Sequence, residues 1–147
     1  MLLFFTYDLI DSMRLFLLRH GTRDFVLGDV GLNAEGLAEA EKLSQNQEFR
    51  NLSHILCSPK KRAQMTIQPL SEQLQLPVTT VNGLDQKERG ESSQDFRLRV
   101  QNQLNDLEGY QENLLICSHS DWLSMALELL PSDDSELSLH MFRCAEY

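Results

Sequence analysis

Arg19-His20-Gly21 closes the apolar run Leu15-Phe16-Leu17-Leu18, so a guanidinium and an imidazole stand where a buried strand turns sharply away. Two later stretches are built alike. Ser58-Pro59 follows the apolar residues ending at Cys57 and leads to Arg62, and Ser118-His119-Ser120 follows those ending at Cys117. Core packing does not call for such residues at three separate strand ends. If the three runs are neighbours in one parallel sheet, two imidazoles and two guanidiniums meet at the edge where open α/β sheets bind ligands.

That set suits a phosphoryl group. The planar fork of arginine meets two phosphate oxygens at once, and Arg62 in a first helical turn adds to the free N–H groups and dipole that already favour an anion. Neutral His20 can attack phosphorus and form a phosphoimidazole, dividing one slow hydrolysis into two easier displacements. Neighbouring cations disfavour an extra proton on His20. His119, opposite, can place a proton or positive charge on the equatorial oxygens in the loose transition state, and such a site requires no metal.

The elements that must position these residues alternate along the chain. Beyond the first strand, residues 22–32 hold Gly28 and Gly31 without a clear period and read as a loop over the strand end. Asn33 caps a helix over 34–49, with Leu37, Ala40 and Leu43 on its inner face and Glu35, Glu39 and Lys42 outside. A strand over 53–57 is followed by a helix over 59–75, for which Ser58 is the cap and Pro59 the first residue. Its inner face carries Ala63, Ile67, Leu70 and Leu74, and Pro69 marks a kink or break.

A third strand over 78–81 and a polar loop over 82–90 lead to a helix from Ser92 or Ser93 to Leu107, lined by Phe96, Val100 and Leu104. A strand over 114–117, a helix over 121–130 and a final strand over 137–144 complete the pattern. Strands separated by helices imply right-handed crossovers. The expected fold is a three-layer α/β/α sandwich with a mostly parallel central sheet.

With 147 residues the chain is expected to form one domain over 13–147. Residues 1–12 begin with Leu2-Leu3-Phe4-Phe5 but have no basic flank, and Asp8 and Asp11 break the apolar stretch, so neither a signal peptide nor a membrane span is expected. They are set apart as an extension that packs on the surface or is mobile, with Met13-Arg14 as a natural start. A net charge of −9 argues against a nucleic-acid surface. Cys57, Cys117 and Cys144 have no metal-ligand spacing and suggest buried, reduced thiols in a cytoplasmic protein, with a Cys57–Cys117 disulfide as the alternative.

Five segments fall in a telling order: Leu17-Leu18-Arg19-His20-Gly21, Leu32-Asn33-Ala34-Glu35-Gly36, the run from Cys57-Ser58-Pro59 through Arg62 to Thr66, Gly90-Glu91-Ser92, and Cys117-Ser118-His119-Ser120. In order and spacing they resemble the histidine phosphatase superfamily, the phosphoglycerate-mutase-like group with the Arg-His-Gly signature. The resemblance spans nearly everything from Met13 onward. It implies a phosphohistidine on His20, phosphate contacts from Arg19, Gly21, Arg62 and His119, no cofactor, and a phosphorylated small molecule or phosphoprotein as substrate. Arg23 resembles a further phosphate ligand of the acid phosphatase branch, and reads equally as a loop residue.

One position departs from that pattern. Members acting on phosphate esters carry a glutamate general acid in a Leu-x-Glu segment, whereas Leu84-Asp85-Gln86 has a glutamine there. Gln86 can hydrogen-bond a leaving oxygen but has no proton to give at neutral pH. Loss of a general acid typically costs on the order of 10²–10⁴ in rate.

Three readings stand. Glu88 substitutes, with Asp85, Asp24 and Asp121 as other candidates. The substrate is a phosphoramidate such as phosphohistidine, as for the short phosphohistidine phosphatases this chain resembles in length. Or the protein is a weak or silent module that binds a phosphorylated partner.

The loop from Leu84 to Gly90 is too short to enclose a mutase intermediate, so hydrolysis is expected. His54, His140, Lys60 and Lys61 read as structural or solvated residues, Trp122 as core, and Glu91 and Ser92 as a helix start.

Overall fold

The residues of the first apolar run alternate between two cores. Leu15 and Leu17 pack with Leu114, Ile116, Phe96, Val100 and Trp122, whereas Phe16 and Leu18 pack with Leu115, Cys117, Leu43, Ile67 and Leu70. A strand buried on both faces has to be central, and a continuous apolar run is its signature. The computed structural model describes residues 2–8 and 13–130.

In chain order the elements are β1 (Phe4–Asp8), β2 (Arg14–Arg19), α1 (Ala34–Ser44), β3 (His54–Cys57), α2 (Lys61–Leu74), β4 (Val78–Thr80), α3 (Ser93–Asp106), β5 (Leu114–Ser118) and α4 (Ser120–Leu129). The sheet runs β1-β2-β5-β3-β4. Only the β1–β2 pair is antiparallel among these, with Phe4 opposite Leu18. The other pairs are parallel, with Arg19 opposite Ser118 and Cys57 opposite Cys117. Helices α1 and α2 cover one face, α3 and α4 the other, which gives the expected three-layer α/β/α sandwich.

Residues 1–12, set apart in the sequence as an extension, supply β1. Leu2 and Phe4 are buried, and the Phe4 ring meets those of Phe16 and Phe49 at centroid distances of 6.5 and 5.3 Å. The Arg19 N–H donates to Leu3 O at 2.8 Å, so this segment also buttresses the end of β2.

Helix α1 ends at Ser44, five residues before the predicted end. The N–H of Gln45 closes the last turn, and the Asn46 side chain caps a separate 3-10 turn over Gln47–Phe49. Two sides of α1 also differ from expectation. Leu37 is half exposed, while Glu39 is buried because its carboxylate accepts from both the N–H and the hydroxyl of Thr22.

Helix α2 begins two residues late, at Lys61, and runs through Pro69 to Leu74. Ser58 does not cap it, since its hydroxyl is committed elsewhere. Ser92 caps α3 as expected, accepting from the Asp95 N–H at 3.0 Å. The predicted strand over 137–144, with His140 and Cys144, lies outside the described residues. Among the described residues, Cys57 and Cys117 are free, buried thiols, and no helix is long and apolar enough to cross a membrane.

Candidate active site

The strand order makes β2, β5 and β3 neighbours, so the three polar strand ends meet. Their turns are stitched together by main-chain bonds: His20 N–H donates to Ser118 O at 3.1 Å and Ser58 N–H to Cys117 O at 3.0 Å. The following glycine is fixed as well. Gly21 N–H donates to Thr66 Oγ1 at 2.8 Å, and that hydroxyl donates to Arg62 O at 2.7 Å. Gly36 permits this crowding, because a Cβ there would lie 2.1 Å from Thr22 O.

Above the joined ends is an open cavity of about 350 Å³. Its floor is made by Arg19, His20, Gly21, Arg62 and His119. Thr22, Arg23, Phe25, Gln86, Ser120 and Asp121 complete the lining.

The two imidazoles lie 5.2 Å apart, ring centre to ring centre. His20 Nδ1 is 2.8 Å from Gly21 O, which fixes the proton on Nδ1 and leaves Nε2 with its lone pair. That nitrogen receives the Arg62 Nε–H at 3.1 Å. Arg62 Nη2 donates to His119 Nδ1 at 3.2 Å and to Gln86 Oε1. His119 therefore carries its proton on Nε2 and gives it to Ser58 Oγ at 2.7 Å.

Both rings are neutral. Burial lowers His20 to about 4, helped by the charges of Arg62, Arg19 and Arg23 and opposed by the bond to Gly21. Burial likewise lowers His119 to about 2, with Arg62, His20, Lys60 and Arg23 adding to it, even though Asp85 Oδ1 is 3.5 Å from Nε2. The cations named from the sequence do act on His20, but desolvation acts more strongly. Arg19 lines the cavity, while its Nε is buried without a hydrogen-bond partner.

The structure brings Arg19, His20, Gly21, Arg23, Arg62, Gln86 and His119 to one cavity. Arg23 reaches it while its Nη1 donates to Asp24 O at 3.2 Å and Val26 O at 3.5 Å of its own loop. Glu88 is not brought there. It is exposed, absent from the lining, and its N–H donates to Glu91 Oε2 at 2.9 Å, so the turn that binds Glu91 carries it away.

Of the other acids, Asp24 accepts from Asn33 Nδ2 outside the lining. Asp85 is buried behind His119, its second oxygen 3.3 Å from Lys60 Nζ, which makes Lys60 part of the network rather than a solvated side chain. Asp121 does line the rim. Its oxygens accept the Lys87 N–H and the Trp122 N–H, each at 2.8 Å.

Sequence reasoning missed the clamp that holds the Gln86 side. Arg99 donates to Glu91 through Nε at 2.9 Å and Nη2 at 2.8 Å, and also to the carbonyls of Gly83, Asp85 and Gln86 at 3.1, 2.8 and 3.1 Å. The bond from Arg99 lowers Glu91 to about 2. Trp122 Nε1 and Ser118 Oγ tie down the same loop at Gly83 O and Leu84 O. No local spacing signals this pair, because Glu91 lies ahead of the Ser92 cap of α3 and eight residues exceed the i, i+4 reach of helical neighbours. Among the described residues no group of three His, Cys, Asp or Glu side chains is placed to hold a metal ion.

Residues 15–86 match the family described as histidine phosphatase superfamily (branch 1). No curated protein matches the chain. Among solved structures, the alpha-ribazole phosphatase of Shigella flexneri is 26% identical, with 80% of this chain and 79% of that one covered and a TM-score of 0.68. A mycobacterial glucosyl-3-phosphoglycerate phosphatase is 18% identical over 78% of this chain and 80% of its own, with a TM-score of 0.68. A phosphoserine phosphatase of Entamoeba histolytica is 19% identical over 77% of each chain, with a TM-score of 0.66. The last two likenesses are of fold.

Proposed function

Because this chain is a member of the histidine phosphatase superfamily, we propose that it is a phosphatase working through a phosphohistidine on His20, without a metal ion. The observation that carries this reading is the state of His20. Its Nδ1–H is tied to Gly21 O, so the Nε2 lone pair faces a cavity floored by guanidiniums.

An incoming phosphoryl group takes over the Arg62 Nε–H that His20 Nε2 now receives, and it meets the Arg19 guanidinium that lines the cavity. Freed from Arg62, Nε2 attacks phosphorus in line; the N–P bond forms as the bond to the leaving group breaks. The Gly21 carbonyl stabilises the positive charge that develops on the ring. Water then attacks phosphorus, the N–P bond breaks, and phosphate departs with His20 restored. His119, whose Nε2–H is held by Ser58 with Asp85 nearby, gains basicity beside a phosphate dianion and becomes a donor to its oxygens. The arginines supply the charge neutralisation that a metal ion supplies elsewhere.

On the leaving-group side, Gln86 has no proton to give, and both oxygens of Asp121 already accept backbone N–H groups. The phosphoryl acceptor His20 is thus better equipped than the leaving-group side is. This favours leaving groups that need no proton from the site, which keeps a phosphoramidate such as phosphohistidine as a second reading: its free ring nitrogen takes a proton from water and the ring departs as neutral imidazole. The buried free thiols Cys57 and Cys117 support a cytoplasmic setting, and the net charge of −9 a small phosphorylated molecule or phosphoprotein rather than nucleic acid.

The test is phosphate release from phenyl phosphate and from phosphohistidine in the presence of EDTA. Turnover of either one that disappears in His20→Ala is the expected result. Release that survives His20→Ala, or that the chelator abolishes, contradicts the reading, as does binding of phosphate with no turnover of either compound.

A further inference from the structure

Phe25-Val26-Leu27 is the most conspicuous apolar surface among the described residues. Phe25 and Leu27 are fully exposed, and Val26 is 56% exposed. Single exposed apolar residues are ordinary, but three in a row at the mouth of a cationic cavity are not. Phe25 is part of that mouth, since it lines the cavity whose floor holds His20 and Arg62.

Polar contacts, not apolar ones, give this loop its shape. Arg23 binds the carbonyls on either side of Phe25, Asn33 binds the Asp24 carboxylate, and Asp29 accepts the Lys61 N–H at the start of α2. The loop is therefore held at both ends while its apolar tip is presented to whatever enters. The same cavity is lined by Gln86 and Asp121, neither equipped to protonate a departing alkoxide.

From these two features of one cavity we propose that the substrate carries its phosphoryl group on an aromatic leaving group, which stacks on Phe25 when the phosphate sits on the floor. This rests on the phosphatase reading above and names its substrate class. A phenolate is a far weaker base than an alkoxide, with a pKa of roughly 10, so its oxygen leaves without an acid, and its ring covers the exposed Phe25. The P–O bond breaks with its electron pair going to the aryl oxygen, which takes its proton from water after it leaves the cavity. The Asp121 carboxylate and the acidic chain as a whole disfavour leaving groups that bear extra negative charge.

Because aryl phosphates react faster in any phosphatase, the experiment measures binding without reaction. Benzylphosphonate and methylphosphonate share the anionic head, cannot be hydrolysed, and differ in the ring alone. Calorimetric affinities are measured for wild type, Phe25→Ala and Phe25→Leu; the side chain is fully exposed, so neither change threatens the fold. Wild type is expected to prefer benzylphosphonate by about tenfold. Phe25→Ala is expected to lose most of that preference with methylphosphonate affinity unchanged, and Phe25→Leu to keep part of it.

Equal affinity for the two phosphonates in wild type, or an equal loss of both in Phe25→Ala, overturns the proposal and turns the apolar tip toward a macromolecular partner. Failure of the phosphatase reading shows separately, as absence of turnover with phosphonate binding intact.

Discussion

The two halves of the cavity are made by different means. The half proposed to hold phosphate is built from strand ends: His20, Arg62 and His119 follow β2, β3 and β5 closely, and main-chain bonds join those ends. The half proposed for the leaving group is built from two loops and the first turn of α4: side-chain ties from Arg23 and Arg99 place Phe25 and Gln86, and Asp121 accepts the Trp122 N–H within α4. A rigid sheet edge fixes charge where phosphorus must sit, while loops on the same scaffold can change the leaving group without disturbing the chemistry. The variants most useful to test this contrast strike one half at a time.

The largest effect is expected from His20→Ala, which removes the proposed nucleophile and should lower kcat by on the order of 10⁴ or more for every substrate, read by initial rates. Arg62→Ala comes next. It strips donors from His20, His119 and Gln86 together, and a loss of roughly 10²–10³ in kcat is expected, again whatever the leaving group.

Arg99→Gln strikes the other half. It frees the carbonyls of Gly83, Asp85 and Gln86, and about a tenfold loss is expected, larger for alkyl than for aryl phosphates, with vanadate affinity unchanged. A loss of vanadate affinity in this variant would show that the two halves are not separable.

Gln86→Glu is expected to do least. A carboxylate there would face Arg62, which favours its ionised form, so no gain on alkyl phosphates should result. A gain of tenfold or more would mean that the missing acid is the sole defect of this half.

Acidity separates the halves too. His20 is lowered to about 4 and His119 to about 2, so neither imidazole should titrate between pH 5 and 8 in the empty enzyme, as proton NMR of the ring carbons would register. A depressed folded value means that each buried neutral ring destabilises the fold as the unfolded chain becomes able to take up its proton. The loss begins as pH falls below about 6.5 and, for His20, grows until about 4. Glu91 acts in a lower window: its salt bridge is fully present above the ordinary carboxylate value and is lost as pH falls toward about 2.

The meeting of Arg19, His20, Arg62 and His119 in one cavity was legible in the sequence because apolar runs ending in Arg, His and Ser report both a strand and its polar end. The layers, the parallel sheet and the cap at Ser92 came from the same local signals. What failed to show was every feature decided by a partner far along the chain. Ser58 looked like a helix cap, yet its hydroxyl is taken by His119, 61 residues away. Glu39 has the period of an outer face, but Thr22 draws it inward. Residues 2–8 look separable until Phe4 finds Phe16 and Phe49. Glu88 was the best acid by proximity in sequence, and a turn governed by the Arg99–Glu91 bridge removes it from the cavity.

The central claim is a covalent phosphate on His20, and rapid quenching tests it most directly. The enzyme is mixed with a radiolabelled aryl phosphate, quenched within a single turnover, and the protein's label is challenged with acid and with alkali. The account predicts a label that acid removes and alkali leaves, present in wild type and absent in His20→Ala. A protein that releases phosphate in that turnover with no such label, or that keeps the label in His20→Ala, would contradict it.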